Sequence, residues 1–500
     1  MWQAFSKADT VLGWDRPELY NGRGSGTFIC PNHLAGFLEM CLGMIVAHVI
    51  FLRKERRSLE NSAIAKVVML YVGLVTAGGL IVSQSRGGWL AAVGGLSVLM
   101  FFGGRDSSTL WKKFAVVGGL VACAGLLLLN IQSIKNYVRA TISVDVQKQQ
   151  VSIGDRTLGG RTFMWKGTLP LIKESPWFGT GLGSWRWQFQ KHKDPQILSF
   201  PEYPHNDYLN LASDYGIVGV VLMLLVFVTF FRHAIKVTRE SESSEERAFA
   251  AGAIVAASCI LIHSWFDFNL HILGNALTLA MLMGMTVAIP LRRERDGSRF
   301  TDGVQRYALP LAVVSLAAFV AYQFLPAFRS YRVFQEGLNA KAELDYSKAI
   351  DRFDAASKID PIFPHPHIRS GDVLKDQATW RIGPGKMSER RDFAARAVAA
   401  YDRALVLNPM HSDVWVSKGQ ALAMAGDSPG ALASFQKAVE HAPANAFAYF
   451  AMGKFFSEQG EEESALDAFN KANANFLSNE PMFYFNAYEV QEKIRSKSAK

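Results

Sequence analysis

The stretch FPEYPHNDYLNLASDYGIVG sets His205, Asn206 and Asp207 about ten residues ahead of a long apolar run. Ionisable groups at membrane depth are costly to keep, which makes them candidates for function. Other polar islands have the same character: Arg86 in SQSRGGW, Arg161 in GGRTFMW, and His263 with Asp267 in HSWFDFNLH. Arg23, in NGRGSGTFICPNHLAGF, joins them. A guanidinium is a planar fork that binds phosphate oxygens in pairs and stays charged. An imidazole accepts a proton from a hydroxyl near neutral pH. Arginines with a histidine beside a membrane therefore suit transfer of a glycan from a lipid diphosphate to an acceptor hydroxyl. Neither a glycosidase-like carboxylate pair nor an Asp-x-Asp motif is evident, so the expected chemistry uses no metal and no cofactor. Each residue also has a plain structural reading. Arg86 can snorkel to headgroups, Arg161 can be a solvated loop charge, His205 or Asn206 can cap a helix, and Asp267 can cap a tight turn. Only the joint case, with all of them on one side of the membrane, favours chemistry.

The elements that must position these groups are apolar windows long enough to cross a bilayer. They fall at 33–51, 63–83, 88–103, 114–131, 215–231, 248–270, 272–289 and 307–325, the short and Gly-rich 88–103 being the weakest. Basic clusters occupy every second connection: Arg53, Lys54, Arg56 and Arg57; Arg105, Lys112 and Lys113; Arg232, Lys236, Arg239 and Arg247; Arg292, Arg293, Arg295, Arg299 and Arg306. That is the positive-inside pattern, and it makes these connections cytoplasmic. The net charge of +9 is thus a topology signal rather than a nucleic-acid footprint. Residues 1–32, the SQSRGG turn, the loop 132–214, the DFNLH turn and everything after 325 fall on the opposite face. Met1 lies outside without a cleavable signal, so we expect spans to be missing ahead of it. The cysteines, Cys30, Cys41, Cys123 and Cys259, are scattered and read as small apolar packing residues.

The loop 132–214 is too long for a mere connection. It carries Trp165, Trp177, Trp185 and Trp187, which suit either an interfacial aromatic belt or stacking on sugar rings. Its GTGLG run (Gly179, Gly181, Gly183) is a weak phosphate-cradle signal, because no strand–loop–helix context surrounds it.

After 325 the chain becomes Ala-rich and repeats with an offset of 34: Trp415 with Tyr449, Gly419 with Gly453, Gly426 with Gly460, Tyr401 with Phe435 and Phe469, Pro409 with Pro443. This is the tetratricopeptide period, two helices per unit. Phe353, Ala356 and Pro361 mark an earlier copy, residues 368–394 break the register, and about three units are expected. Stacked units offer a concave face for a protein partner.

At RGSGTFICPNHLAGFL, SQSRGGWLA, GRTFMWKGTLPLIKESPWFGTGLGSW, PHNDYLNLASDYGIVG and HSWFDFNL, the chain resembles the O-antigen ligase and polymerase superfamily of bacterial inner-membrane proteins, in the family's order over about 22–290. The resemblance implies an all-α, polytopic, GT-C-like membrane glycosyltransferase with a large periplasmic loop. A tetratricopeptide α-solenoid would follow it. The domains would run 1–32 (external), 33–325 (membrane) and 326–500 (repeats). The donor would be a glycan on undecaprenyl diphosphate. The acceptor would be a glycan, lipid A core or protein, with inversion at the anomeric carbon. Arg86 and Arg161 would hold the diphosphate, and His205 would activate or orient the acceptor. His263 and Asp267 would line the same cavity, with Arg23, Asn206, Asp207, Trp165 and Trp185 contacting substrate. Asp214 stands where the family often has Glu. A transporter and a membrane-anchored repeat scaffold are the competing classes; the charges at outer span ends count against the first, and the Arg and His motifs against the second.

Overall fold

A computed structural model describes residues 10–11, 14–15, 20, 22–51, 59–102, 142–145, 150–153, 158–197, 200–289, 299–383, 385–475, 490 and 492. The expected span at 114–131, Cys123 and the basic clusters at 53–57, 105–113 and 292–295 lie outside these residues. Two compact units divide the chain: one contains 1–143, 164–185 and 201–298, the other 144–163, 186–200 and 299–500.

The first unit is a helical bundle with a small ribbon pairing Thr10 with Asp15 and Val11 with Trp14. Its helices are α1 (Pro31–Phe51), α2 (Leu59–Ser83), α3 (Arg86–Phe102), α4 (Leu158–Glu174, continuing in from the second unit), α5 (Asp207–Glu240), α6 (Ser244–His263) and α7 (Leu273–Val287). Among the described residues α1, α5 and α6 are long and apolar enough to cross a membrane, and 67–83 and α7 are shorter apolar helices.

Helix α6 is the centre of the bundle because its sequence is small. Ala250, Ala251, Ala253, Ala256, Ala257 and Cys259 are fully buried. Small side chains let backbones approach closely where lipid supplies no hydrophobic drive. A β-carbon on Gly43 of α1 would stand 2.7 Å from Val255, and one on Gly252 would stand 2.7 Å from Met44. Helix α5 is the opposite case: it is long and apolar enough to cross a membrane, and Leu222, Leu224, Leu225 and Val226 on it are exposed. The expected span 248–270 is shorter than the sequence suggested: α6 stops at His263, and residues after it turn back on themselves, with Asp267 N–H donating to the His263 carbonyl.

In the second unit, α8 (Arg299–Ala342) is one continuous helix whose 44 residues contain the expected span 307–325 and the first repeat helix. Then follow α9 (Tyr346–Ile359), α10 (His365–Thr379), α11 (Met387–Leu407), α12 (Ser412–Ala425), α13 (Ser428–His441), α14 (Ala446–Gln459) and α15 (Glu462–Asn475). One contact recurs along the array. A β-carbon on Gly337, Gly371, Gly419 or Gly453 would press on the ring of Phe353, Tyr401, Phe435 or Phe469, at 2.6–2.7 Å. In each helix pair the missing side chain makes room for the partner helix's ring. Four such pairs among the described residues correct the expected count of about three. The register break is an insertion: α10 ends and the longer α11 begins between Gly371 and Tyr401, without loss of the contact.

Candidate active site

Four connections of the first unit converge through named contacts. Residues 22–24 pack on the turn before α3: Gly24 N–H donates to the Val82 carbonyl, and Arg23 Nε donates to the Ser83 carbonyl at 2.9 Å. Ser85 caps α3 by accepting from Gly88 N–H, so Arg86 is its first residue, exposed at the helix end. Arg23 Nη2 donates to Asn32 Oδ1 (2.9 Å), Asn32 Nδ2 donates to Asp267 Oδ2 (2.8 Å), and Asp267 Oδ1 lies 3.1 Å from His205 Nδ1. Arg23, Asn32, Asp267 and His205 thus form a continuous chain of hydrogen bonds.

A carboxylate accepts, so the imidazole carries its proton on Nδ1 and turns the Nε2 lone pair away from Asp267. Among the described residues no hydrogen bond engages Nε2, and the side chain keeps 17% of its surface exposed. The backbone at His205 is left-handed, with φ 50°. Strain of this kind persists only where the surroundings hold it. They do so on both sides: Trp165 Nε1 donates to the Pro204 carbonyl at 2.9 Å, and Asn206 caps α5 by accepting from Leu209 N–H. Phe268 lies against the ring, at 4.9 Å between centroids.

Asn206 and Asp207 are both buried and bonded within the protein. Asn206 Nδ2 donates to the Trp265 carbonyl. Buried Asp207 accepts from Ser264 Oγ and Leu270 N–H and sits 2.8 Å from His271 Nδ1. His263 is buried with Glu39, Nδ1 to Oε1 at 3.1 Å. Gly87, next to Arg86, lies against the His263 ring. Trp185 is 1% exposed, its indole donating to Thr168, so its ring is packed and offers no face to a sugar. Arg161 lies on α4 one turn before Trp165, in the stretch that belongs to the second unit.

The glycine-rich run is occupied by the protein itself. Gly183 N–H donates to Asp214 Oδ2 and Trp185 N–H to Asp214 Oδ1, each at 3.0 Å, and Asn210 Nδ2 adds a third bond. Thr180 and Gly181 N–H donate to the Ser213 and Asp214 carbonyls. The other half of this contact is the break in α5 at Gly216, φ 63° and ψ −166°. Gly179 lies against the backbone of Asp214 and Tyr215, and Gly216 against that of Trp177 and Phe178, where a β-carbon would collide. The N–H groups of Thr180, Gly181 and Gly183 are thus taken up by the protein itself, Gly183 by the Asp214 carboxylate and the other two by backbone carbonyls.

Asn32, His271, Ser264, Glu39 and Phe268 were not singled out from the sequence. Asn32 had a signal, in CPNHLAGF at the start of an apolar run; the others are polar or aromatic residues with no spacing of their own.

His205 lies within a segment with a recognisable relation to known proteins, and Asp267 lies beyond its end. Residues 71–224 match the O-antigen ligase family model, and residues 389–446 match a tetratricopeptide repeat model. Over those residues the chain is similar to O-antigen ligases and to tetratricopeptide repeat proteins. The chain is also similar to an uncharacterized protein of Haemophilus influenzae, 23% identical over 240 residues, which is 46% of this chain and 57% of that protein. The chain thus matches little more than half the length of that relative. Solved structures that resemble it include TTC0263, a thermophilic repeat protein of Thermus thermophilus, at 14% identity and TM-score 0.29, covering 38% of this chain and 95% of that one. MamA is similar at 19% identity and TM-score 0.25, covering 33% and 94%. Likeness at that level says nothing of function.

Proposed function

We propose that this chain transfers a glycan from undecaprenyl diphosphate to an acceptor hydroxyl on the periplasmic face of a bacterial inner membrane. The observation that carries the reading is the His205–Asp267 pair, 3.1 Å apart, with His205 partly exposed and within the stretch that matches the O-antigen ligase family. In the step envisaged, the acceptor oxygen attacks the anomeric carbon while the bond to the diphosphate oxygen breaks. The hydroxyl proton passes to His205 Nε2, and Asp267 stabilises the imidazolium that forms. The departing diphosphate takes the bonding electrons, and the guanidinium groups of Arg86 and Arg161 offset its charge. Those fixed charges do the work a metal would otherwise do. Direct displacement inverts the anomeric carbon.

The ligase segment supports donor chemistry shared by ligases, polymerases and protein glycosyltransferases; the repeats favour a protein partner or acceptor. The functional domains would be 1–32 outside, 33–325 in the membrane and 326–500 in the periplasm. The test is transfer in vitro from a synthetic polyprenyl-diphosphate glycan. His205→Ala should lose about 10²–10⁴-fold in rate, and Arg161→Ala roughly 10²–10³-fold. An active wild type with both variants fully active would remove these residues from the mechanism.

A further inference from the structure

Residues 186–200 come from the last third of the loop 132–214, yet they fold with the repeats. Fifteen residues have no core of their own, but Phe189 and Ile197 are buried, at 0% and 2% exposure. The indole of Trp187 stands 4.6 Å from the His411 imidazole, which precedes α12, and 5.3 Å from the Phe200 ring. The Arg186 guanidinium covers both rings, at 4.9 Å from Trp187 and 5.4 Å from Phe200. The turn Phe189–His192, which holds Lys191, packs on α13, whose last residues are Glu440 and His441. Aromatic and guanidinium stacking of this kind is directional and strengthens when water is excluded.

We propose that the repeats act in cis: the edge formed by His411 and the end of α13 takes residues 186–200 of the same chain as its ligand. Trp187 and His411 are then positioning residues for the segment that runs into His205. Phe200 is five residues before His205 in sequence. A tethered segment left free would have to be ordered anew at each turnover, at an entropic cost for every residue; docking removes that cost in advance. An outside protein that used this edge would have to displace the loop.

Full-length protein in detergent tests the docking without any donor. Trypsin should cut after Lys191 and Lys193 at least tenfold faster in Trp187→Ala and in His411→Ala than in wild type, with thermal unfolding of the repeats unchanged. Trp187→Phe should restore protection. Carbodiimide should cross-link Lys191 to Glu440 in wild type, and the yield should fall about tenfold in Trp187→Ala. Wild-type rates of cleavage and cross-linking in both alanine variants would overturn the docking. The positioning role rests on the transfer reaction proposed above, and its readout is separate: kcat should fall tenfold or more in Trp187→Ala with the donor KM unchanged, and recover in Trp187→Phe. Docking lost with kcat intact would overturn that role, while an inactive wild type would count against the transfer reaction and leave the docking result standing.

Discussion

His205 and Asp267, separated by 62 residues, meet through Nδ1 and Oδ1 at 3.1 Å, and the same carboxylate accepts from Asn32 on its other oxygen. Both oxygens are used, so the carboxylate has one orientation. Asp267→Asn keeps the shape but turns one of these acceptors into a donor. We expect a drop in transfer rate of about 10²–10⁴-fold, with thermal stability nearly intact, because the tautomer of His205 is then wrong. An Asp267→Asn protein with wild-type kcat and an unchanged pH–rate profile would show that the pair is merely structural.

Gly87 holds the helix end of Arg86 against His263, where a β-carbon would stand 3.0 Å from the ring. His263 is itself tied to buried Glu39 and has little room to yield. Gly87→Ala should therefore shift the start of α3. We expect the donor KM to rise roughly tenfold or more, since displacement near 1 Å can cost 10²-fold in a positioned site. Titration with the donor diphosphate lipid checks this; unchanged donor affinity would detach Arg86 from binding.

Asp214 should prove a stability residue. Removing its carboxylate leaves the N–H groups of Gly183 and Trp185 and the Asn210 amide without their acceptor. The Trp185 and Asn210 donors are buried, and each stranded buried donor costs about 1–3 kcal/mol, whereas Gly183 is exposed and can turn to water. Asp214→Ala should lower the unfolding midpoint in detergent markedly, and Asp214→Glu should lower it less. Equal stability of all three proteins would contradict the cradle described here.

The repeats should weaken in acid. Burial is the first cause holding His365, His367, His411 and His441 below the usual histidine range, and it acts by penalising the charged ring. Nearby arginines push the same way on His365, through Arg369 and Arg186, and on His367, through Arg403. For a histidine depressed on folding, the unfolded chain binds more protons. Stability is then complete above about pH 6.5, the unfolded value, and falls as pH drops through that value toward the folded ones. Thermal scans from pH 7.5 to pH 5 should show the repeat transition moving down. A flat or rising midpoint would mean that these rings are not held neutral.

Orientation can be read chemically. Phe178, 77% exposed in the loop before the Asp214 cradle, and Glu242, between α5 and α6, fall on opposite faces in the proposed topology. In a background lacking the native cysteines, Phe178→Cys should react with an impermeant thiol reagent on intact spheroplasts and Glu242→Cys should not. The reverse pattern would invert the protein.

The helical class, the run of α1, α2, α3, α5, α6 and α7, and the 34-residue repeat were legible in the sequence, because span length and period are local properties of a helix. The ligands of Arg23 and His205 were not. Asn32 reaches Asp267 across 235 residues, and the sequence carries no mark of that separation. GTGLG shows the same limit from the other side. Its composition says that the backbone can turn tightly, but only the fold decides what its N–H groups meet, and here they meet the Ser213 and Asp214 carbonyls and, at Gly183, the Asp214 carboxylate. Trp185 and Trp187 look alike in the string SWRW; one is sealed against Thr168 and the other laid on His411. Local chemistry sets which elements form and which groups can bond. Partner choice among equivalent groups depends on how distant elements pack, and that was settled only by the tertiary structure.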